Sequence, residues 1–91
     1  MLKTLEELIT VIRQRKESIK EESYTKKLLN NKNLNIQKVK EEIAELIDAI
    51  EKNTNKVHEA ADVLYHLMVL LESNGIKIED VMNELKKRQK E

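Results

Sequence analysis

The stretch KVHEAADVLYHLMVLLE, residues 56–72, reads as one helix that is apolar around nearly its whole circumference. Val57, Ala60, Ala61, Val63, Leu64, Leu67, Met68, Val69, Leu70 and Leu71 leave only a narrow polar strip. A surface helix keeps one apolar side, whereas a helix apolar all round is buried on every side. The stretch therefore predicts the centre of an all-α bundle. The chain has 91 residues, and a domain of that size buries only about 60–65% of its unfolded surface. A four-to-five-helix bundle completed by a two-fold homodimer is the expected architecture.

The flanking sequence supplies the other helices. Leu2, Leu5, Leu8, Ile9 and Ile12 recur at helical spacing and predict a first helix from about Leu2 to Lys20. Glu21 to Tyr24 breaks the period, and Thr25 to Leu29 reads as a short helical turn. Asn30, Asn31, Asn33 and Asn35 predict a loop. A long helix follows, with Ile36, Val39, Ile43, Leu46, Ile47 and Ile50 on one side and Val39, Ile43, Leu46 and Ile50 as its core stripe. Asn53-Thr54-Asn55 ends it and is expected to supply a side-chain cap for residues 56–72. Gly75 is placed for a left-handed cap, and Val81, Met82 and Leu85 mark a last helix from about Ile78 to Lys90. Residues 1–91 form a single domain with no internal repeat.

Composition narrows the function classes. There is one Gly, no Pro and no Cys, so breakers are scarce and neither disulfide nor thiolate metal site is available. Lys and Arg number 17, as do Asp and Glu. That balance argues against nucleic acid as partner, since phosphate-backbone binding needs a basic excess. No apolar run reaches membrane-spanning length and the first residues lack a signal-peptide pattern, so a cytoplasmic location without membrane contact is expected.

The chemistry lies in two acid pairs. In the second long helix Glu42 and Glu45, three apart, project together, with Glu41 further towards solvent. In the apolar helix Glu59 and Asp62 are also three apart, and His66 continues their face. Burying a carboxylate without a partner costs several kcal/mol, and no Lys or Arg occurs between Val57 and Asn74 to offset it. Two antiparallel helices carrying these pairs would converge four carboxylates on one point. All-oxygen ligation suits Mg²⁺ or Mn²⁺ rather than zinc or copper, and such an open acid cluster is what phosphate chemistry requires. The alternative is a set of salt bridges within the bundle core.

The pattern Glu-Glu-x-x-Glu (Glu41, Glu42, Glu45), a spacer of 13 residues, Leu46 to His58, and then Glu-x-x-Asp (Glu59, Asp62) resembles the signature of the MazG-like all-α NTP pyrophosphohydrolases. Within that superfamily the chain is most similar to the phosphoribosyl-ATP pyrophosphohydrolase family of histidine biosynthesis. Carrying that resemblance are EAADVLYHL at 59–67, Val11-Ile12 with Arg15-Lys16, Ser23-Tyr24-Thr25 with Leu28-Leu29, Lys38-Val39, and Gly75-Ile76 through Asp80-Val81 and Glu84-Leu85 to Arg88. It departs in having Lys40 where the family usually has Gly, and in a preceding Asn-rich stretch about one residue short.

The resemblance implies Mg²⁺-dependent hydrolysis of phosphoribosyl-ATP to phosphoribosyl-AMP and pyrophosphate. Glu42, Glu45, Glu59 and Asp62 are the expected metal ligands, and the ion would neutralise triphosphate oxygens and acidify a water. Glu41 or Glu45 is the candidate catalytic carboxylate that orients or deprotonates that water. Arg15, Lys16 and Lys38 are either phosphate contacts or ordinary helix-surface charge. Ser23 is either a substrate contact or the cap of the short helix after it, while Tyr24 and Thr25 enter as substrate-binding residues through the matching motif. His66 either orients groups at the metal or is a core histidine bonded to backbone. Two other functions compete. A house-cleaning dNTP pyrophosphohydrolase would share the acids but lack Ser-Tyr-Thr, and a non-enzymatic, protein-binding helical dimer would not place acids in the most apolar helix.

Overall fold

The computed structural model describes residues 2–18 and 23–89, and these form five helices: α1 (Lys3–Glu17), α2 (Tyr24–Leu29), α3 (Lys32–Lys52), α4 (Lys56–Ser73) and α5 (Ile78–Arg88). No strand occurs among the described residues, so the chain is all-α as expected. Each of the other four helices packs against α4, and the α3–α4 pairing is the most extensive. Residues 56–72 thus do form the centre of the bundle. The core is Ile9, Ile12, Leu28, Met68 and Val69, with Leu5, Leu8, Leu34, Leu67, Leu71 and Ile78 packed around it.

The helix ends follow local side-chain chemistry. Ser23 accepts the Lys26 amide at 3.1 Å and starts α2, and Asn31 accepts the Leu34 amide at 3.1 Å and starts α3. Two helices end in the same six-residue hydrogen-bond pattern. Gly75, at φ 71°, closes α4 with Gly75 N–H to Glu72 O and Ile76 N–H to Leu71 O, as its position predicts. Asn53, at φ 57°, does for α3 what glycine does for α4, with Asn53 N–H to Ile50 O and Thr54 N–H to Ala49 O. Asparagine is among the few side chains that enter this region readily.

Several expectations are corrected. Ser18 is already extended, so α1 stops at Glu17; Ile19 and Lys20, and Glu21 and Glu22 of the expected break, lie outside the described residues, as does Lys90. The asparagine-rich stretch is helical from Lys32, because Asn31 caps rather than loops, and Asn35 is wholly buried inside α3. Asn55 is left-handed and makes no side-chain cap to α4. Of the expected α3 core stripe, Val39 and Leu46 do face inward, but Ile43 and Ile50 are exposed. The inward face runs Asn35, Val39, Glu42, Leu46 and Ala49, alternating steps of four and three as in a helix–helix seam. Ile43 lies one residue past Glu42, about 100° around the helix. Nor is α4 buried on every side within one chain: Val57 is 85% and Leu64 47% exposed.

A charged network joins α1 to the far end of α4. Arg13 donates to buried Glu72 at 3.0 Å and to both oxygens of Glu79 at 2.7 and 3.0 Å. Its guanidinium holds the Glu79 carboxyl down at about 2. A carboxylate depressed by folding adds stability above its ordinary pKa, 4.5 here, and that stability is lost as pH falls towards 2. Melts of the wild type between pH 5 and pH 2 should therefore lose Tm more steeply than melts of Glu79→Gln; parallel curves would show that the pair adds nothing. Arg13→Ala, which strands the buried Glu72, should cost about 1–3 kcal/mol in denaturant titration.

Candidate active site

The turn at residues 53–55 folds α4 back along α3, and the seam period brings the two acid pairs together. One carboxylate oxygen from each of Glu42, Glu45 and Glu59 lies within 4.8 Å of the others. Ligand atoms of His58, Glu59 and Asp62 form a second group within the same limit, and Glu59 belongs to both. The four acids expected as metal ligands thus fall in two adjoining groups that meet at Glu59. Glu42 and Glu59 each have one buried carboxylate oxygen with no hydrogen-bond partner among the described residues. Burial, reinforced by the neighbouring Glu45 carboxylate, pushes both of their pKa values upward. Among the described residues, the side chain set against these acids is the exposed His58, whose Nε2 lies 3.4 Å from Asp62 and 3.9 Å from Glu59. Anions crowded together with unused, desolvated oxygens are the electrostatic situation that a small divalent cation relieves. The four acids offer carboxylate oxygen alone, a donor set that fits Mg²⁺ or Mn²⁺, and His58 adds one ring nitrogen beside it.

His58 was not singled out in the sequence, although its i, i+4 relation to Asp62 could have marked it. Glu41 is placed differently from the other acids. It lies outside both groups, accepts from Gln37 at 3.1 Å and pairs with Lys38 at 3.4 Å, and these contacts hold its pKa below the usual carboxylate range. Lys38 sits close enough to Tyr24 to lower its phenol pKa, although burial of the ring outweighs this and raises it.

The remaining expected substrate residues are engaged within the protein. Lys16 donates to the Glu72 carbonyl at 2.8 Å, at the far end of α4. Ser23 caps α2, the cap reading of the two. Tyr24 hydroxyl lies 2.9 Å from His66 Nε2, and the Thr25 and Tyr65 hydroxyls are hydrogen-bonded to each other. His66 is buried, with Nδ1 2.8 Å from the Asp62 carbonyl. A carbonyl can only accept, so Nδ1 carries the proton, and in the neutral ring Nε2 accepts from Tyr24. Arg15 is half-buried on α1, where Lys26 donates to its carbonyl at 3.2 Å. Lys26, not singled out in the sequence, also reaches the carbonyls of Lys16 and Ser18 and so caps the end of α1.

Residues 5–89 match the family model described as phosphoribosyl-ATP pyrophosphohydrolase. The chain belongs to this family. It is 47% identical to a phosphoribosyl-ATP pyrophosphatase of Clostridium novyi (strain NT), over 94% of this chain and 81% of that protein. Identity to a phosphoribosyl-ATP pyrophosphatase of Pyrobaculum arsenaticum is 46%, over 97% of both chains. It is also 46% identical, over 98% of its length, to the histidine biosynthesis bifunctional protein HisIE of Pyrococcus furiosus, of which it spans 43%.

The raised carboxylates allow a test of the cluster without any ligand. An acid whose pKa is raised by folding takes up protons on folding, so stability falls as pH rises from the unfolded carboxylate range through the raised value. In chelator-treated protein, Glu42→Gln should flatten this loss and leave Tm at pH 7 unchanged or higher. If these acids were instead salt-bridged core residues, the same change would lower stability by about 3–5 kcal/mol.

Proposed function

We propose that this chain hydrolyses phosphoribosyl-ATP to phosphoribosyl-AMP and pyrophosphate in histidine biosynthesis, and that it does so with Mg²⁺ or Mn²⁺ held by Glu42, Glu45, Glu59 and Asp62. The gathering of those four carboxylates from α3 and α4 into two groups that share Glu59, with two buried oxygens unpartnered among the described residues, is the observation that carries this function. Relatives named for that reaction over nearly the whole chain support the substrate. When bound, the ion supplies charge neutralisation for the triphosphate. The protein does the rest. Glu45, solvent-exposed at the rim of the cluster, orients an attacking water and takes its proton. Glu41 is the weaker candidate, since Lys38 and Gln37 hold it as a poor base. Lys38 and Arg15 are the cations proposed for phosphate oxygens. We place the enzyme in the cytoplasm, with the nucleotide pool that supplies it; no helix among the described residues is long and apolar enough to cross a membrane.

The functional unit is a homodimer. Ile43, Ile47 and Ile50 form an exposed stripe on α3, and Val57 and Leu64 are exposed on α4 of the same hairpin. The radius of gyration is 14.4 Å, against about 12 Å for a compact domain of this length. A single chain is therefore open where a second copy would close it.

Pyrophosphate release should be seen with phosphoribosyl-ATP and Mg²⁺, vanish with chelator, and fall at least about 1,000-fold in Asp62→Asn, corresponding to roughly 4 kcal/mol of lost transition-state stabilisation. Mg²⁺ should raise the Tm of the wild type but not of that variant. Equal turnover of canonical dNTPs would move the chain to the house-cleaning class. Sedimentation at micromolar concentration should give about 21 kDa, twice the chain's 10.7 kDa; a folded monomer there would remove the dimer.

A further inference from the structure

Two adjacent residues of α2 meet two adjacent residues of α4. Tyr24 bonds His66, and Thr25 bonds Tyr65. The two tyrosine rings stack with centroids 6.2 Å apart and planes 20° apart, and His66 stands edge-on to both at 5.7 and 5.0 Å. Tyr24 and Tyr65 are the only tyrosines in the chain, which has no Phe or Trp, so both of its phenol rings are spent on this junction. The six residues of α2 are too few to hold a helix alone. Its stability must come from the buried Leu28 and from these side-chain pairs.

We propose that Tyr24 and Thr25 are positioning residues that dock α2 against α4 beside the acid cluster, and that they set substrate fit through that docking rather than by touching substrate. Both hydroxyls already have protein partners across the α2–α4 junction, and those bonds fix how the two helices meet. The Tyr24 pair also reaches the backbone of a cluster residue, since His66 passes the connection to the Asp62 main-chain carbonyl. Docking α2 therefore bears on the backbone of a residue proposed to hold the cation. Lys38, close enough to Tyr24 to act on its phenol, brings the face of α2 to the region proposed for phosphate.

The inference rests on the substrate proposed above, and a double-mutant cycle tests it. Thr25→Val and Tyr65→Phe should each raise KM for phosphoribosyl-ATP about 2- to 12-fold, the worth of one net hydrogen bond, with kcat within about twofold. The double variant should be no worse than the poorer single one, because both changes remove the same bond. Thr25→Ser keeps the hydroxyl and should restore the wild-type KM. Without substrate, exchange of the Lys27 and Asn30 amides, bonded within α2 to Ser23 and Lys26 carbonyls, should quicken by a similar factor in the same variants. Tyr24→Phe reads the second pair in the same way if a Tyr65 variant fails to fold. Multiplying losses in the double variant, a silent Tyr65→Phe beside a damaged Thr25→Val, or unchanged amide exchange would each overturn the proposal. A wild type that turns over no phosphoribosyl-ATP would refute the substrate instead, and amide exchange would still decide the docking.

Discussion

Placing carboxylates at seam positions between two helices is costly, because each loses water and repels the next. Here α3 and α4 do so with Glu42 and Glu59, each with one buried oxygen that finds no partner among the described residues. Everything near the site depends on tolerating that cost. The helices must be held from elsewhere: Val39 and Ala49 are buried on α3, and Met68 and Val69 anchor α4 in the core with Ile9, Ile12 and Leu28. The turn between the helices must be short and defined, which Asn53 achieves in a left-handed conformation. Without those supports, repulsion within the cluster would part the two helices before any cation could join them.

The cations show the same division between scaffold and chemistry. Arg13 closes onto Glu72 and Glu79 and ties α1, α4 and α5 together. Lys26 caps α1, and Lys16 caps the end of α4. These groups sit where the chain needs fixed acceptors satisfied. At the acid cluster the protein leaves the negative charge largely uncompensated, with the exposed His58 alongside. A charge-balanced composition thus conceals an uneven distribution, with acids gathered between α3 and α4.

The same seam geometry accounts for the apolar stripe left outside. With acids at seam positions, isoleucines one residue along are rotated out of the chain's own core. Ile43, Ile47 and Ile50 then face away while Glu42 faces in, an inversion of the usual amphipathic pattern. A chain with two inward demands, one for a core and one for a charged site, meets the second at the expense of the first.

Much of this was legible in the residues alone. Helical periodicity, the near absence of Gly and Pro, and the apolar stretch 56–72 were enough for an all-α bundle centred on that helix, since those are local properties. The acid pairs were legible because i, i+3 spacing fixes a shared face whatever surrounds it, and Gly75 because a left-handed cap has few alternatives. The rotation of α3 was not legible. Its periodicity offers both the isoleucine stripe and the acid-bearing seam, and only packing against α4 chooses between them. The extent of the loop before α3 was likewise undetermined, because asparagine serves equally as loop former and as cap. The pairing of Tyr24 with His66 and Thr25 with Tyr65 joins residues about forty positions apart. No local rule encodes such contacts; they exist only because α2 is carried across α4, and that is a decision of the tertiary structure.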